Sequence, residues 1–152
     1  MLELITKVEE KVLELSTYSR DKSDKHGEVF TPPALINEML DKLPEEVWSD
    51  STKTFFDPCA GKGNFPIQVV KRLFNGLVDE IPNEEERLRH IVENQIYMAE
   101  FQPESAQVCR VLFTFGKDFN VNLYEGDTLE MPKNYFDKGY KGEEEVIQPT
   151  LF

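Results

Sequence analysis

A glycine-rich turn directly after a short apolar run is the feature that most restricts how this chain folds. Residues 54–56 carry the β-branched and aromatic side chains typical of a strand, and Asp57 and Pro58 end that run. Gly61 and Gly63 follow, and helical spacing of apolar residues begins just after them. In open α/β sheets a turn of this kind lies at the carboxyl end of a strand, where nucleotide-like ligands bind.

The rest of the chain alternates in the same way between strand and helix patterns. Strands are predicted at residues 54–56, 95–99 and 121–124, and helices at 2–15, 33–43, 64–74, 83–91 and 103–113. Thr31 is expected to cap the second helix. This alternation favours an α/β fold with a largely parallel sheet. The predicted organisation is an N-terminal helix and linker (1–25), a ligand-binding domain (26–131) and a polar tail (132–152).

The length and cysteine content narrow the class of protein. A chain of 152 residues suits one domain, and no apolar run approaches the roughly 20 residues that a membrane helix needs. The N-terminus lacks the pattern of a signal peptide, so we expect a cytoplasmic protein with no membrane partner. Cys59 and Cys109, with two histidines, predict neither a disulfide framework nor a metal site. Both cysteines are expected to be reduced and packed.

The net charge opposes independent binding to DNA. There are 29 acidic and 17 basic residues, which gives −12, whereas a duplex-binding domain normally has a basic surface for the phosphates. Three explanations of this charge remain open: acidic faces that are simply solvated, a subunit whose DNA-binding partner lies elsewhere, and an acidic mimic of DNA.

The chemistry of the turn points to a cationic ligand without a phosphate. Asp57 stands where an anionic phosphate would be repelled, and the spacing around Lys62 is not that of a phosphate-binding loop. Glu100, at the end of the second strand, is placed to accept from ribose hydroxyls, or it is a solvated strand end. Asp127, after the third strand, either accepts from an adenine amino group or caps its turn.

Two motifs give a specific resemblance. Asp57-Pro58-x-x-Gly61-x-Gly63-x-Phe65 resembles the first motif of the amino-methylating DNA methyltransferases, and Gly27-Glu28-Val29-Phe30-Thr31-Pro32-Pro33 resembles their preceding cofactor motif. Their order is similar to that of the γ-class N6-adenine enzymes, which include modification subunits of restriction systems. Residues 97–100 and 126–129 fall where that family has its second and third motifs.

This resemblance implies a Rossmann-like methyltransferase fold that binds S-adenosylmethionine. The implied cofactor-binding residues are Phe30, Thr31, Asp57, Cys59, Gly61, Gly63, Glu100, Phe101 and Asp127. Asp57 would meet the methionine ammonium group, and Phe30 with Thr31 would line the methionine end. The glycines would let the cofactor lie against the backbone. Glu100 would hold the ribose hydroxyls, Asp127 the adenine amino group, and Phe101 would be an apolar wall.

The catalytic loop of that family has no counterpart here. N6 transfer uses an Asn- or Asp-Pro-Pro-Tyr or -Phe loop after a fourth strand, and no such tetrapeptide occurs in the sequence. We therefore assign no catalytic residue and expect a fold that is incomplete on its C-terminal side, from a truncated or split enzyme. Such an enzyme would reach DNA only through a missing segment or a partner subunit.

The tail leaves further alternatives open. Residues 148–152 are a plain tail, a degenerate catalytic loop, or a peptide that docks on a replication sliding clamp through Gln148, Leu151 and Phe152. For the whole chain, the alternatives to a methyltransferase part are an inactive cofactor-binding remnant and an acidic decoy of restriction-modification enzymes.

Overall fold

A three-stranded parallel sheet forms the centre of the molecule. The computed structural model describes residues 1–20 and 30–138. The strands are β1 (Phe55–Asp57), β2 (Ile96–Glu100) and β3 (Asn122–Glu125), in the spatial order β1-β2-β3. Phe55 pairs with Ile96, and Tyr97 pairs with Asn122. The predicted α/β fold with a parallel sheet is confirmed.

Helices join and flank these strands. The described ranges contain α1 (Leu2–Arg20), α2 (Pro33–Leu40), α3 (Asn64–Gly76), α4 (Glu84–His90) and α5 (Pro103–Leu112). Helix α3 contacts β1 and β2, and α5 contacts β2 and β3. Because parallel crossovers are right-handed and the strands progress in one direction, α3 and α5 lie on the same face of the sheet. Ile96, Met98 and Leu123 are buried beneath them.

Polar contacts fix the direction of the N-terminal helix α1 relative to α3. Glu9 accepts hydrogen bonds from the Gln68 and Lys71 side chains, each at 2.7 Å, and the Asn64 amide donates to Ser16 Oγ at 2.8 Å. Helix α1 therefore runs antiparallel to α3. Ile5 and Val12 of α1 are almost fully buried against this core, as their spacing predicts.

Some sequence-based expectations about local structure are wrong. Thr31 does not cap α2: the N-cap residue is Pro32, and no side chain caps this start. Helix α2 ends at Leu40, three residues before the predicted end, since Pro44 disfavours helical backbone at Leu43, and a 3-10 helix, Glu45–Ser49, follows. That 3-10 helix was not predicted, and its Trp48 stacks on Phe55 with the ring centroids 5.3 Å apart.

The beginning of the predicted tail packs against the sheet. A 3-10 turn, Thr128–Glu130, follows β3, and the chain then passes over the sheet face that α3 and α5 do not cover. Phe136 lies edge-on to Tyr97 with the ring centroids 5.1 Å apart, and Tyr135 lies edge-on to Tyr124 at 4.8 Å. Gln148, Leu151 and Phe152 lie outside the described residues, as do Gly27, Glu28 and Val29. No helix in the described ranges is long and apolar enough to cross a membrane.

Candidate cofactor site

The turn between β1 and α3 is closed by backbone hydrogen bonds. The Ala60 N–H donates to the Ala99 carbonyl of β2 at 3.0 Å, and the Gly63 N–H donates to the Ala60 carbonyl at 2.9 Å. The first bond ties the turn to the neighbouring strand, and the second folds it back toward the start of α3. The turn is thus held at the carboxyl end of the sheet, where the sequence places it.

The two glycines of the turn are required for different reasons. Gly61 has φ +55°, and a Cβ atom at this position would point into open space. Gly63 has φ +98°, and its Cβ atom would overlap the ring of Phe113 at the end of α5. Gly63 therefore allows close packing beneath the turn, whereas the space above the Gly61 backbone is open.

Glu100 joins the ends of two strands through its carboxylate. The Gly61 N–H donates to Glu100 Oε2 at 2.6 Å, and the Gln102 N–H donates to Oε1 at 2.9 Å. Glu100 as a whole residue is 7% exposed. The sequence left two alternatives for Glu100, a contact with ribose hydroxyls or a solvated strand end, and its burial shows that the second is wrong. The structure adds a structural role, because this carboxylate holds the glycine turn against β2, and each oxygen still has lone pairs for a ligand hydroxyl.

Asp57 carries a carboxylate that the fold partly buries at the same place. Burial raises the pKa of Asp57, the hydrogen bond from the Cys59 N–H (3.0 Å) lowers it, and the negative charge of Glu100 raises it again. The net shift is upward. Within residues 1–20 and 30–138, no cation forms an ion pair with Asp57 or Glu100. A cationic group placed beside Asp57 would therefore relieve unfavourable electrostatics.

The two cysteines differ in their surroundings. Both thiols are free, as expected. Cys59 is exposed within the turn, so the prediction that it is packed is wrong. Cys109 is buried in α5, and its Sγ donates to the Gly61 carbonyl at 3.2 Å. Burial, followed by the charges of Glu100 and Asp57, raises the pKa of Cys109 to about 12, so the thiol keeps the proton that it donates.

Cys109 and Phe113 form the floor of the turn, and sequence reasoning placed them only on the apolar side of their helix. Their spacing of four residues shows that they share one helical face, but this spacing does not identify what the face contacts. The contact with the glycine turn spans more than 45 residues of sequence and arises only in the folded chain.

The remaining predicted residues from the second and third strands border the same edge of the sheet. Phe101 follows Glu100 directly and is 70% exposed. Asp127 caps the 3-10 turn after β3, since its Oδ1 accepts from the Leu129 N–H at 2.9 Å. The capping role of Asp127 that the sequence left open is therefore confirmed. A contact between Asp127 and a ligand stays a prediction. The Thr128 hydroxyl donates to the Pro58 carbonyl at 2.6 Å, which brings this turn beside the β1 end.

Helix α2 brings the upstream motif toward the same end of the sheet. Asn37 donates to Gln68 at 3.1 Å, and Arg72 of α3 reaches both Asn37 and Asp41. Because successive turns of α2 meet successive turns of α3, the two helices run in the same direction. The segment Phe30–Thr31, just before α2, therefore lies toward the start of α3 and the glycine turn. Among the described residues, no hydrogen bond joins Thr31 to that turn.

Similarity to known proteins assigns the family. A sequence profile for N-6 DNA methylases matches residues 4–146, which is most of the chain. The chain belongs to the N-6 DNA methylase family. An uncharacterised adenine-specific methylase of Mycoplasma pneumoniae is 39% identical over 75 residues, which are 47% of this chain and 18% of that protein. The type II methyltransferase M.VspI of Vibrio sp. is 33% identical over 101 residues, 59% of this chain and 24% of that protein.

Membership of the N-6 DNA methylase family agrees with the predicted family and fold. The observed α/β fold with its parallel sheet fits a methyltransferase fold. The γ-class assignment, which rests on motif order, stays a prediction. The matched regions cover only a fifth to a quarter of the two relatives.

The turn also fits the cofactor that this family uses. S-adenosylmethionine carries an ammonium group, a ribose and an adenine, and it has no phosphate. A partly buried carboxylate at Asp57 suits an ammonium group, a strand-end carboxylate at Glu100 suits ribose hydroxyls, and Gly61 leaves open space above the backbone between them. The absence of a phosphate-binding loop is equally consistent with this chemistry.

Proposed function

We propose that this chain is the S-adenosylmethionine-binding part of an adenine-specific (N6) DNA methyltransferase. The observation that carries the proposal is the hydrogen bond from the Gly61 N–H to Glu100, which joins the glycine turn of β1 to the end of β2. It places an exposed backbone surface, a partly buried aspartate and a strand-end carboxylate at one edge of the sheet.

The proposed roles follow the chemistry of each group. Asp57 binds the methionine ammonium group, and Gly61 lets the cofactor approach the backbone. Glu100 accepts from the ribose hydroxyls through lone pairs that its backbone contacts leave available. Phe101 provides an exposed apolar surface for adenine, and Asp127 accepts from the adenine amino group through the oxygen that does not cap its turn.

Phe30 and Thr31 complete the methionine end, and Cys59 and Gly63 shape the turn. The direction of α2 along α3 supports this placement of the upstream motif. When bound, the cofactor supplies an electrophilic methyl group. The chain's own residues hold the cofactor and exclude water from one side of it.

Transfer to DNA requires groups that this sequence does not supply. A flipped adenine needs acceptors that orient its amine and an aromatic surface that holds the ring. The Asn-Pro-Pro-Tyr-type loop that provides them in the resembled enzymes is absent from the sequence. We propose that a further segment or partner subunit brings both these groups and the contacts to DNA.

Calorimetry with S-adenosylmethionine and its demethylated product tests the proposal. We expect the chain to bind both, and Asp57→Ala to weaken binding by about 1.5–3 kcal/mol, because a charge-assisted contact is lost. Asp79→Ala is the matched control, since Asp79 is an exposed aspartate remote from the turn in sequence. Equal affinity of the wild type and Asp57→Ala would show that Asp57 does not bind the ligand.

A further inference from the structure

Ser16, near the end of α1, is a buried residue whose hydroxyl contacts the first residue of α3. The Asn64 side-chain amide donates to Ser16 Oγ at 2.8 Å, and the Ser16 hydroxyl donates to the Val12 carbonyl at 2.7 Å. Ser16 is 8% exposed. Because the hydroxyl accepts one bond and donates another, its orientation is fixed, and it holds the Asn64 side chain in one direction.

The contact between Ser16 and Asn64 lies directly beside the glycine turn. Asn64 follows Gly63, whose left-handed backbone is the N-cap of α3. Helices commonly begin at a Ser, Thr, Asp or Asn whose side chain caps them, and glycine has no side chain for this purpose. Among the described residues, no side chain caps the start of α3. The bond from Asn64 to α1 therefore supports a helix start that has no cap of its own.

Helix α1 is also anchored to α3 by contacts that do not involve Ser16. Glu9 accepts from Gln68, one helical turn beyond the start of α3, and Ile5 and Val12 are buried in the same core. These contacts should keep α1 packed on α3 when only the hydroxyl is removed. A change from serine to alanine also raises helix propensity. The hydroxyl of Ser16 can therefore be removed without unfolding α1.

The two ends of the proposed cofactor depend on different supports. Glu100, at the adenosine end, accepts from the N–H groups of Gly61 and Gln102, and neither bond involves α1. The methionine end is assigned to Asp57 and to the segment before α2, which lies toward the start of α3. A shift of the start of α3 should therefore disturb the methionine end before it disturbs the ribose.

We propose that Ser16 is a positioning residue for the methionine end of the cofactor. Its hydroxyl acts through Asn64: it fixes the start of α3, and with it the path of the glycine turn that faces the ligand. Ser16 does not contact the cofactor. The inference rests on the proposed function and adds α1 to the elements that shape the site.

The contact also couples α1 to the ligand. Coupling between two binding events is reciprocal, so if packing of the α1 end favours cofactor binding, cofactor binding favours packing of that end. Bound cofactor should thus slow hydrogen exchange in the last turns of α1, at residues 13–17. This protection should depend on the Ser16 hydroxyl.

The test compares two ligands on the full chain by calorimetry. S-adenosylhomocysteine, the demethylated product, carries the amino acid end, whereas 5′-methylthioadenosine carries the adenosine part without the amino acid. Ser16→Ala removes the hydroxyl. Thr17→Ala is the matched control, because the exposed Thr17 hydroxyl makes the same kind of bond within α1, to the Leu13 carbonyl at 3.0 Å.

We expect Ser16→Ala to weaken binding of S-adenosylhomocysteine about fivefold, the effect of one net hydrogen bond, and to leave affinity for 5′-methylthioadenosine unchanged. Protection of residues 13–17 by the ligand should be lost. Thr17→Ala should resemble the wild type with both ligands. Asn64→Ala should weaken S-adenosylhomocysteine to the same degree, and the double variant no further, because both substitutions remove one interaction.

Three results would each overturn the positioning role. These are equal weakening of both ligands by Ser16→Ala, which would identify a general structural effect, unchanged affinity for S-adenosylhomocysteine, and additive effects of Ser16→Ala and Asn64→Ala. If Ser16→Ala does not fold, exchange in the wild type decides. Protection of residues 13–17 by S-adenosylhomocysteine and not by 5′-methylthioadenosine supports the proposal, and any other pattern contradicts it.

The failure of this inference and that of the proposed function are distinguishable. A chain that binds both ligands and does not respond to Ser16→Ala contradicts only the positioning role. A chain that binds neither S-adenosylmethionine nor S-adenosylhomocysteine contradicts the proposed function itself.

Discussion

Asp57 and Glu100 serve the same turn through different interactions. Glu100 accepts from two backbone N–H groups and organises the turn, whereas Asp57, within the part of the chain that the structure describes, accepts only from the Cys59 N–H and has a raised pKa. A carboxylate that burial and a neighbouring charge destabilise is unfavourable for the free protein, and a cationic ligand offsets that cost. The two residues should therefore respond differently to substitution and to pH.

We expect Asp57 to make the stability of the free protein and its affinity for the cofactor change with pH in opposite directions. Between the ordinary carboxyl pKa of 3.8 and the raised pKa of Asp57, the folded state binds more protons than the unfolded state. The contribution of Asp57 to the free energy of unfolding thus falls as the pH rises through this window. Affinity for the cationic cofactor should instead rise with pH, because binding needs the ionised carboxylate.

Calorimetry from neutral pH down to the ordinary carboxyl pKa of 3.8 measures this effect. We expect the wild type to lose affinity on acidification more steeply than Asp57→Asn, which keeps the acceptor for the Cys59 N–H but cannot ionise. Urea unfolding at neutral pH should show Asp57→Asn to be at least as stable as the wild type. Parallel pH profiles of the two proteins would contradict a direct contact between Asp57 and the ligand.

Glu100→Gln should reduce both stability and affinity. From its position at a strand end, this substitution would be expected to leave the free energy of unfolding almost unchanged. The structure alters that expectation, since an amide NH2 would face the N–H of either Gly61 or Gln102. We expect a loss of about 1–3 kcal/mol in the free energy of unfolding. Thermal and urea unfolding measure it, with Glu104→Gln, an exposed neighbour, as the control.

A stability of Glu100→Gln equal to that of Glu104→Gln would contradict the structural role. Weaker cofactor binding without any loss of stability would then leave Glu100 only the contact with ribose hydroxyls that the family resemblance implies.

At the scale of the glycine turn, a substitution by alanine should have different effects at Gly61 and at Gly63. Gly61→Ala places its Cβ in open space, so the free protein bears only the left-handed backbone cost of roughly 1–2 kcal/mol, and cofactor approach is obstructed. Gly63→Ala adds an overlap with Phe113 and should cost more than about 3 kcal/mol in the free energy of unfolding. Unfolding and binding measured on both variants test the distinction.

If Gly61→Ala leaves affinity intact, the open space above the turn is not where the ligand lies. If Gly63→Ala is no less stable than Gly61→Ala, Phe113 is not a rigid floor of the turn.

At the scale of the whole molecule, the proposed cofactor site belongs to a chain whose charge and sequence do not favour methyl transfer to DNA. The net charge of −12 opposes approach to DNA phosphates, and the sequence contains no Asn-Pro-Pro-Tyr-type loop. We expect negligible transfer of labelled methyl groups from S-adenosylmethionine to duplex DNA by this chain alone. Turnover at an ordinary enzyme rate, about 1 s⁻¹ or more, would contradict this expectation and indicate an unrecognised catalytic loop.

The sequence by itself determined the order of strands and helices and the position of the glycine turn. These features are local: the alternation around residues 54–74 and 95–113 reflects which side chains each backbone conformation can bury. The two motifs that carry the family resemblance are local as well. The sequence therefore identified Asp57, Gly61 and Glu100 as one group, although it gave no distances between them.

Tertiary structure alone decided which groups contact one another across the sheet. The Gly61 carbonyl receives the Cys109 thiol, Gly63 packs on Phe113, and Phe136 covers Phe56, through contacts that join segments distant in sequence. Their physical basis is burial and close packing, which depend on how the strands are ordered in space. Spacing along one helix or strand identifies a buried face, but only the assembled sheet determines what that face meets.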